Sequence, residues 1–225
     1  MQRMFDILFS SLALLVLSPL LLPIVLILKM TGEGEVFYLQ ERIGRGGKIF
    51  KLYKFATMLK NSPNIGTGTV TMKNDPRILP IGHFLRKTKI NELPQLLNIF
   101  IGDMSVIGPR PLTKQTFSAY SEAVQANVVK VRPGLSGIGS IIFRQEEEIL
   151  AGESGSIAFY NNVIAPYKGA LEEWYVCNHS LKTYFVAIFV TILAVIFPNA
   201  SFVWKAFCNL PTPPDKLKKA LNYPY

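Results

Sequence analysis

Charged and polar residues that could handle phosphate groups are concentrated between Asp75 and Leu112. The acidic and amide members of this stretch include Asn91, Glu92 and Asp103. The cations interleaved with them are Arg77, Arg86, Lys87, Lys89 and Arg110. Arginine and lysine donate charge-assisted hydrogen bonds to phosphate oxygens, and arginine can donate two in parallel. The stretch indicates phosphate binding, although a basic, solvated surface near a membrane would show the same composition.

Glu92 is the predicted metal ligand of this stretch. Mg²⁺ prefers oxygen ligands and is usually held by one or two carboxylates together with substrate phosphate oxygens. Glu92 together with substrate phosphates would suit Mg²⁺, although the stretch taken alone predicts only phosphate binding. Asn91 fits the N-cap of a helix over residues 91–100, whose first backbone N–H groups would add an anion site. Gly102 would end that helix. Its apolar face would consist of Leu93, Leu96, Leu97 and Phe100.

The elements that position these residues are short and mixed in type. Residues 36–39 and 49–53 are predicted to be strands around a glycine-rich turn, and residues 82–87 a short basic helix. Residues 117–131 show the spacing of an amphipathic helix, whereas residues 134–143 fit a strand or a loop. The sequence thus predicts an α+β fold, in which a small sheet is surrounded by helices.

Two polar segments are predicted to lie on the surface. Residues 61–73 are rich in Gly, Thr, Ser and Asn, which indicates a loop beside or over the site. The acidic run at 146–148 is expected to be a solvated helix face rather than a metal site, because adjacent residues point apart on a helix.

The composition indicates a membrane-attached domain. Apolar residues make up 49% of the chain, with a mean hydropathy of +0.27, and they are concentrated in residues 7–28 and 184–197. The formal net charge of +9 fits anionic lipid headgroups or phosphorylated substrates. A nucleic-acid partner is not expected, since no aromatic-basic recognition motif is present. Cys177 and Cys208 lack metal-ligand spacing and are expected to be inert.

Proline interrupts the first apolar segment. Pro19 cannot bond the carbonyl of Leu15, and Pro23 cannot bond that of Pro19, so a kink is expected and the Ser18 hydroxyl could bond a carbonyl one turn back. Positive charges flank the segment on both sides, which favours two cytoplasmic ends. We predict a re-entrant helix at residues 1–30; a kinked single span and a cleaved signal peptide are the alternatives.

The second apolar segment, residues 181–197, is short for a membrane span. Its aromatic residues and the lysines near it favour an interfacial helix over a span or a buried core helix. The domain organisation predicted from these observations is a re-entrant helix at 1–30, a cytoplasmic catalytic domain at 31–180, and an interfacial helix with a basic tail at 181–225.

An ordered series of motifs over nearly the whole chain resembles the bacterial sugar transferases, the small monotopic phosphoglycosyl transferases. The N-terminal motifs are Arg3-Met4-Phe5-Asp6, the Ser18-Pro19 break, Gln40-Glu41-Arg42-Ile43-Gly44 and Lys51-Leu52-Tyr53-Lys54-Phe55. The central motifs are Asp75-Pro76-Arg77, Leu85-Arg86-Lys87-Thr88 and Glu92-Leu93-Pro94-Gln95-Leu96. The later motifs are residues 102–111, which end in Gly108-Pro109-Arg110-Pro111, and Arg132-Pro133-Gly134-Leu135-Ser136-Gly137.

The resemblance implies a reaction and its partners. In such enzymes an Asp attacks the phosphate of a UDP-sugar and releases UMP, and polyprenyl (undecaprenyl) phosphate then accepts the sugar phosphate, as in exopolysaccharide biosynthesis. A Glu holds Mg²⁺. The implied location is the cytoplasmic face of the bacterial inner membrane, among its lipids, and a second copy of the chain is left open as a partner.

The resemblance also assigns site residues to this chain. The catalytic positions are Asn91, Glu92, Asp75 and Arg77, and Ser18 and Pro19 belong to the membrane segment. The substrate-binding positions are Lys54, Arg86, Lys87, Arg110, Arg42 and Gln95.

Two positions depart from the pattern of these enzymes. Asn91 occupies the place of the nucleophilic Asp, and Ala56 that of an Arg. An amide is a poor nucleophile, so three hypotheses remain. The chain could transfer through Glu92 or by direct attack of the lipid. Asn91 could be an inactivating substitution, or could deamidate to Asp. The chain could instead be a catalytically silent, membrane-anchored subunit that binds nucleotide sugars.

Overall fold

The computed structural model describes residues 1–31, 33–62, 75–146, 149, 157–197 and 202–224, and these residues form the predicted α+β fold. The elements of the first half are α1 (Gln2–Met30), β1 (Phe37–Ile43), β2 (Ile49–Phe55), α2 (Pro80–Lys87), α3 (Gln95–Ile101) and β3 (Ser105–Ile107). Those of the second half are α4 (Lys114–Phe117), α5 (Glu122–Val128), β4 (Gly134–Ser136), α6 (Ile138–Ile142), α7 (Ile157–Phe159), α8 (Ala165–Cys177), α9 (Leu181–Ile196), α10 (Phe202–Ala206) and α11 (Asp215–Lys218).

The chain forms two compact units. Ile7–Glu41 and Lys51–Ile101 form one, called here the N-proximal unit. Met1–Asp6, Arg42–Phe50 and Gly102–Tyr225 form the other, the C-proximal unit. The pairing of β1 with β2 agrees with the predicted strands, and a 3₁₀ turn, Arg45–Gly47, joins them.

Helix α1 runs without interruption through Pro19 and Pro23. The Ser18 hydroxyl donates to the Leu15 carbonyl over 2.7 Å, and this is the carbonyl that Pro19 cannot bond. The side-chain hydrogen bond predicted from the sequence therefore satisfies a backbone group that the proline leaves without its helical partner. By length and composition α1 could cross a membrane; its re-entrant path stays a prediction.

The C-terminal half of α1 supplies the core of the N-proximal unit. Ile24 and Leu28 are buried there with Phe55 of β2 and Leu85 of α2. Helix α2 lies close to the chain that follows β2. A Cβ atom at Gly82 would be only 2.3 Å from the Thr57 carbonyl oxygen, so this approach requires glycine. The short basic helix predicted at 82–87 is confirmed, with its start at Pro80.

The predicted helix over residues 91–100 begins later than expected. Ile90–Glu92 is a 3₁₀ turn whose N-cap is Lys89, in the left-handed conformation, and α3 begins only at Gln95. The missing N–H of Pro94 separates the two segments. The apolar face is also different, since Phe100 is exposed and the buried positions of α3 are Gln95, Leu96, Asn98 and Ile99. Gly102, at φ +113°, follows the end of α3 as predicted.

Two glycine-containing motifs pair in the C-proximal unit. Strands β3 and β4 are parallel, and the Gly108 N–H donates to the Ser136 carbonyl over 2.9 Å. A Cβ at Gly134 would lie 2.1 Å from the Gly108 nitrogen, so only glycine allows this approach. The ambiguous segment 134–143 is therefore a strand followed by α6. The single helix predicted at 117–131 is wrong: α4 and α5 are separate, because Ser121 caps a new helix with its hydroxyl.

Helix α9 has two apolar faces. Tyr184, Ala187 and Val190 are buried within the C-proximal unit. Exposed side chains on the rest of the helix include Phe185, Phe189, Ile192 and Ile196. The helix is only 16 residues long, whereas a span needs about 20. An interfacial helix, with one face on the protein and the other toward lipid, fits this burial pattern better than a core helix.

Candidate active site

Lys54 and Glu92 form the central contact of the candidate site. Lys54 lies near the end of β2, and its ammonium donates to Glu92 Oε1 of the 3₁₀ turn over 3.2 Å. The two side chains are 21% and 35% exposed, so solvent and ligands reach both. Lys54, one of the residues predicted to bind substrate, is thus in direct contact with the predicted metal ligand.

A buried asparagine fixes the distance between β2 and α3. The Asn98 amide donates to the Lys51 carbonyl over 2.8 Å and accepts from the Tyr53 N–H over 2.9 Å. Asn98 is fully buried, and an amide in that environment needs both partners. Asn98 was not among the predicted site residues, and its only signal in the sequence is an amide among the apolar residues of a predicted helix.

Asn91 is buried beside Glu92 in the same turn. It is not the predicted N-cap, and among the described residues its Oδ1 has no hydrogen-bond partner. The N–H groups of Glu92 and Leu93 already donate to the Lys89 and Ile90 carbonyls. The anion site expected from N–H groups at this point is therefore wrong for these two groups, because the 3₁₀ hydrogen bonds occupy them.

The other predicted residues of the N-proximal unit lie close along the chain. Arg86 and Lys87 form the last turn of α2, half-buried and exposed respectively, and lead through Lys89 into the turn with Asn91. Gln95 is buried at the start of α3. The cations therefore precede Glu92 in the sequence, and the buried amide of Gln95 follows it.

Asp75 and Arg77 are held by each other. The guanidinium donates to both carboxylate oxygens over 2.8 and 2.6 Å and to the Ser62 carbonyl over 2.7 Å. Both side chains are at most 5% exposed. This geometry fits a structural role, in which the Asp75–Arg77 pair stabilises the segment after β2, where Met58 pairs with Ile78. Their catalytic role stays a prediction.

Arg42 and Arg110 belong to the C-proximal unit. Arg42 donates to the Pro111 carbonyl over 3.0 Å. The Arg110 backbone N–H donates to Glu172 Oε1 over 3.3 Å, while its side chain is exposed. The Gly134 N–H donates to the carbonyl of Pro109, the residue before Arg110, over 2.8 Å. The pairing of these two segments therefore fixes the backbone at Arg110.

Two buried charged residues that the sequence did not reveal, Lys168 and Glu172, lie near Arg110. Lys168 donates to both carboxylate oxygens of Glu146 over 2.9 Å. The solvated role predicted for the acidic run is therefore wrong for Glu146, while residues 147 and 148 lie outside the described residues. Burial raises the pKa of Glu172 to about 7, against the opposing effects of the Arg110 N–H and the positive charge of Lys168. Burial likewise lowers the pKa of Lys168.

The raised pKa of Glu172 gives a pH dependence of stability. Because the folded pKa exceeds the ordinary value of 4.5, the folded state binds more protons, and stability falls as pH rises from about 4.5 to 7. We expect Glu172→Gln to raise the free energy of unfolding at pH 8 by about 3 kcal/mol and to change it little at pH 4.5. Thermal unfolding across this range measures the effect.

The control for this prediction is Glu122→Gln, which removes a carboxylate from the exposed first turn of α5. We expect it to leave the profile unchanged, since exposed carboxylates gain and lose protons similarly in both states. A Glu172→Gln variant less stable than the parent at pH 8 would show that the charged carboxylate is needed.

The donor set fits one Mg²⁺ held mainly by substrate. Among the described residues no three His, Cys, Asp or Glu side chains are grouped as in an all-protein metal site. The turn does offer a half-exposed carboxylate at Glu92 and an amide oxygen at Asn91 that makes no described hydrogen bond. One carboxylate completed by phosphate oxygens and water is the usual Mg²⁺ arrangement in phosphate-transfer sites.

Exposed apolar helices and a lysine–carboxylate pair beside a basic helix are features expected of a membrane-associated enzyme that acts on phosphorylated substrates. The family described as bacterial sugar transferase matches residues 1–198, and the chain belongs to that family. It is a phosphoglycosyl transferase by class.

Similar proteins agree with this assignment. The exopolysaccharide production protein ExoY of Rhizobium meliloti strain 1021 is 36% identical, over 89% of this chain and 88% of its own length. The undecaprenyl-phosphate galactose phosphotransferase of Salmonella typhimurium strain LT2 is 32% identical over 90% of this chain, which spans 42% of that longer protein. The UDP-glucose:undecaprenyl-phosphate glucose-1-phosphate transferase of Escherichia coli K12 is 38% identical over 63% of this chain and 31% of its own length.

Proposed function

We propose that the chain transfers a sugar 1-phosphate from a UDP-sugar to undecaprenyl phosphate and releases UMP, as a first step in building a lipid-linked glycan such as an exopolysaccharide. The observation that carries the proposal is the contact between Lys54 of β2 and Glu92, which lies in the same turn as Asn91. Relatives whose names state this type of reaction support it.

The reaction exchanges one phosphoanhydride for another. An oxygen of the lipid phosphate forms a bond to the phosphorus that carries the sugar, and the bond from that phosphorus to the UMP oxygen breaks. UMP leaves with the electron pair. Because the donor diphosphate and the lipid phosphate are both anionic, the site must offset their repulsion, which is the role proposed for Lys54, Arg86 and Lys87.

Glu92 is the residue proposed to hold Mg²⁺, with Asn91 Oδ1 beside it. The bound ion would supply positive charge to the diphosphate oxygens and stabilise the departing UMP. Lys54 then has a second role, because its contact orients the Glu92 carboxylate before substrate arrives. Incubation of the purified chain with a panel of UDP-sugars, undecaprenyl phosphate and Mg²⁺ tests the proposal by UMP release.

A second function, a catalytically silent subunit that binds nucleotide sugars, is favoured by one observation. Asn91 occupies the position where the resemblance places a nucleophilic carboxylate, and its amide oxygen is buried. Such a protein would bind UDP-sugars in a calorimetric titration without releasing UMP under any combination of acceptor and metal.

The proposed location is the cytoplasmic face of the inner membrane, with α1 re-entrant. Both ends of α1 are held by folded segments. Asp6 accepts hydrogen bonds from Ser105 and Tyr184 in the C-proximal unit, and Leu28 is in the core of the N-proximal unit. The middle of the helix exposes large apolar side chains such as Leu15 and Val16. A re-entrant path would keep both ends of α1 on the cytoplasmic face, as the positive charges on both sides of the apolar segment favour.

Cysteine labelling in intact cells tests this topology. Cys177 and Cys208 are exposed in the C-proximal unit, and Lys60→Cys, in a Cys177→Ser/Cys208→Ser background, reports on the N-proximal unit. We expect an impermeant maleimide to label neither protein until the cells are permeabilised. Labelling of either one in intact cells would contradict the re-entrant path. Replacing Pro19 and Pro23 with Leu is expected to favour a spanning helix and to expose one unit to the reagent.

A further inference from the structure

A basic cavity of about 290 Å³ lies beside the first turns of α1 in the C-proximal unit. Three separate parts of the chain contribute cations to its wall. Arg3 comes from α1, Arg45 from the turn between β1 and β2, and Lys130 and Arg132 from the segment before β4. None of these residues belongs to the Lys54–Glu92 site, and the transfer reaction proposed above does not use them.

Asp6 supplies a carboxylate to the wall of this cavity, and protein groups already donate hydrogen bonds to it. Asp6 is 1% exposed. Its Oδ1 accepts from the Ser105 hydroxyl, the Val106 N–H and the Tyr184 hydroxyl, each over 2.9 Å. Because these bonds direct Asp6 toward the protein, it offsets the four surrounding cations only in part.

Arg132 is held close to two of the other cations on this wall. Its Nε donates to the Gly102 carbonyl over 2.7 Å, which fixes the guanidinium at the cavity. Burial lowers the pKa of Arg132, and the positive charges of Arg3 and Arg45 lower it further. Like charges held together in this way repel one another, and a bound anion would relieve the repulsion.

We propose that this cavity binds the phosphate group of an anionic ligand, with Arg3, Arg45, Lys130 and Arg132 as the cations that neutralise it. Phosphate is the natural complement of several converging guanidinium and ammonium groups. Apolar side chains of the same unit are exposed beside this end of α1: Met4 follows Arg3, and Phe185 of α9 stacks edge-on against Phe5. The phosphate can therefore come from a lipid headgroup or from a free phosphate compound.

The test uses the full chain in zwitterionic detergent and two probes. Inorganic diphosphate is titrated by calorimetry, and phosphatidylglycerol is added in mixed micelles and counted by native mass spectrometry, with phosphatidylcholine as the neutral lipid. The variant is Arg45→Gln/Lys130→Gln, since both side chains are exposed and neither supports the core. We expect it to weaken binding at least about tenfold, because it removes two of the four cations that would neutralise the phosphate.

The matched control is Lys48→Gln/Lys114→Gln, which removes the same charge from exposed positions outside the cavity. We expect less than a twofold change in its affinity. Binding of diphosphate would identify a free phosphate compound as ligand, and selective binding of phosphatidylglycerol a lipid headgroup; both outcomes support the proposal if the cavity variant loses them. Equal losses in the two double variants, or no binding of either probe by the parent chain, would overturn it.

Discussion

Replacing Glu92 with glutamine is expected to lower the rate of UMP release by about 100- to 1000-fold, the usual effect of removing one electrostatic group from a transition state. Glutamine keeps the shape of the side chain but removes the charge that pairs with Lys54 and that would hold Mg²⁺. The measurement is initial-rate UMP release over a range of Mg²⁺ concentrations. The variant should also need more Mg²⁺ for half-maximal activity.

Folding should be almost unaffected by this substitution. The Lys54–Glu92 contact is partly exposed, and such ion pairs contribute about 1 kcal/mol or less to stability. A loss of activity without a loss of thermal stability therefore separates chemistry from folding. Glu122→Gln, in the exposed first turn of α5, is the matched control and should keep the parent rate. Unchanged turnover and Mg²⁺ dependence in Glu92→Gln would contradict the assignment.

The second large effect is expected at Asn91. Wild-type protein incubated with UDP-sugar alone should form no phosphosugar adduct, because the amide oxygen of Asn91 is a poor nucleophile. Transfer should then require donor and acceptor together, and initial rates should follow a ternary-complex pattern instead of a ping-pong one. Intact-protein mass spectrometry measures the adduct directly. An adduct that maps to Glu92 would show that the neighbouring carboxylate has become the nucleophile.

Asn91→Asp should change this outcome. With a carboxylate in the turn, we expect UDP-sugar alone to give a burst of UMP close to one equivalent of enzyme, together with an adduct on residue 91. The matched control, Asn178→Asp, makes the same chemical change at an exposed position after α8 and should give neither burst nor adduct. A silent parent protein that gains turnover in Asn91→Asp would favour the second proposed function for the natural chain.

Spontaneous conversion of Asn91 to Asp is disfavoured by the local geometry. Deamidation through a cyclic imide requires the backbone nitrogen of Glu92 to attack the Asn91 side chain. That N–H donates to the Lys89 carbonyl over 3.1 Å, and the Asn91 side chain is buried. Peptide mapping of purified protein should therefore find the amide intact, and any adduct on wild-type protein would need another explanation.

Features governed by neighbouring residues were predictable from the sequence. Apolar runs on either side of a glycine-rich turn indicated both strands of the first pair, and the basic segment before Thr88 indicated α2. Gly102 ends α3 because its positive φ suits glycine. The hydrogen bond from Ser18 to Leu15 follows from the proline next to the serine. In each case the physical cause acts within about one turn of the residue concerned.

Side-chain partners distant in sequence were not predictable. Asn98 bonds β2 across 47 and 45 residues, and Lys168 bonds Glu146 across 22. Glu146 was predicted to be solvated because helix spacing alone cannot reveal a buried lysine from another element. The same limit applied to residues 91–94, where hydrogen bonds in a 3₁₀ turn replaced the expected helix cap.

By itself the sequence indicated the α+β class and the apolar helices, because composition and periodicity are local properties, and its ordered motifs predicted Glu92, Lys54 and Asn91 as site residues. Only the tertiary structure decided that Lys54 contacts Glu92, that Asp75 and Arg77 bind each other, and that Arg3, Arg45, Lys130 and Arg132 surround one cavity. Burial and electrostatic repulsion depend on distances between segments far apart in the chain, and those distances exist only after folding.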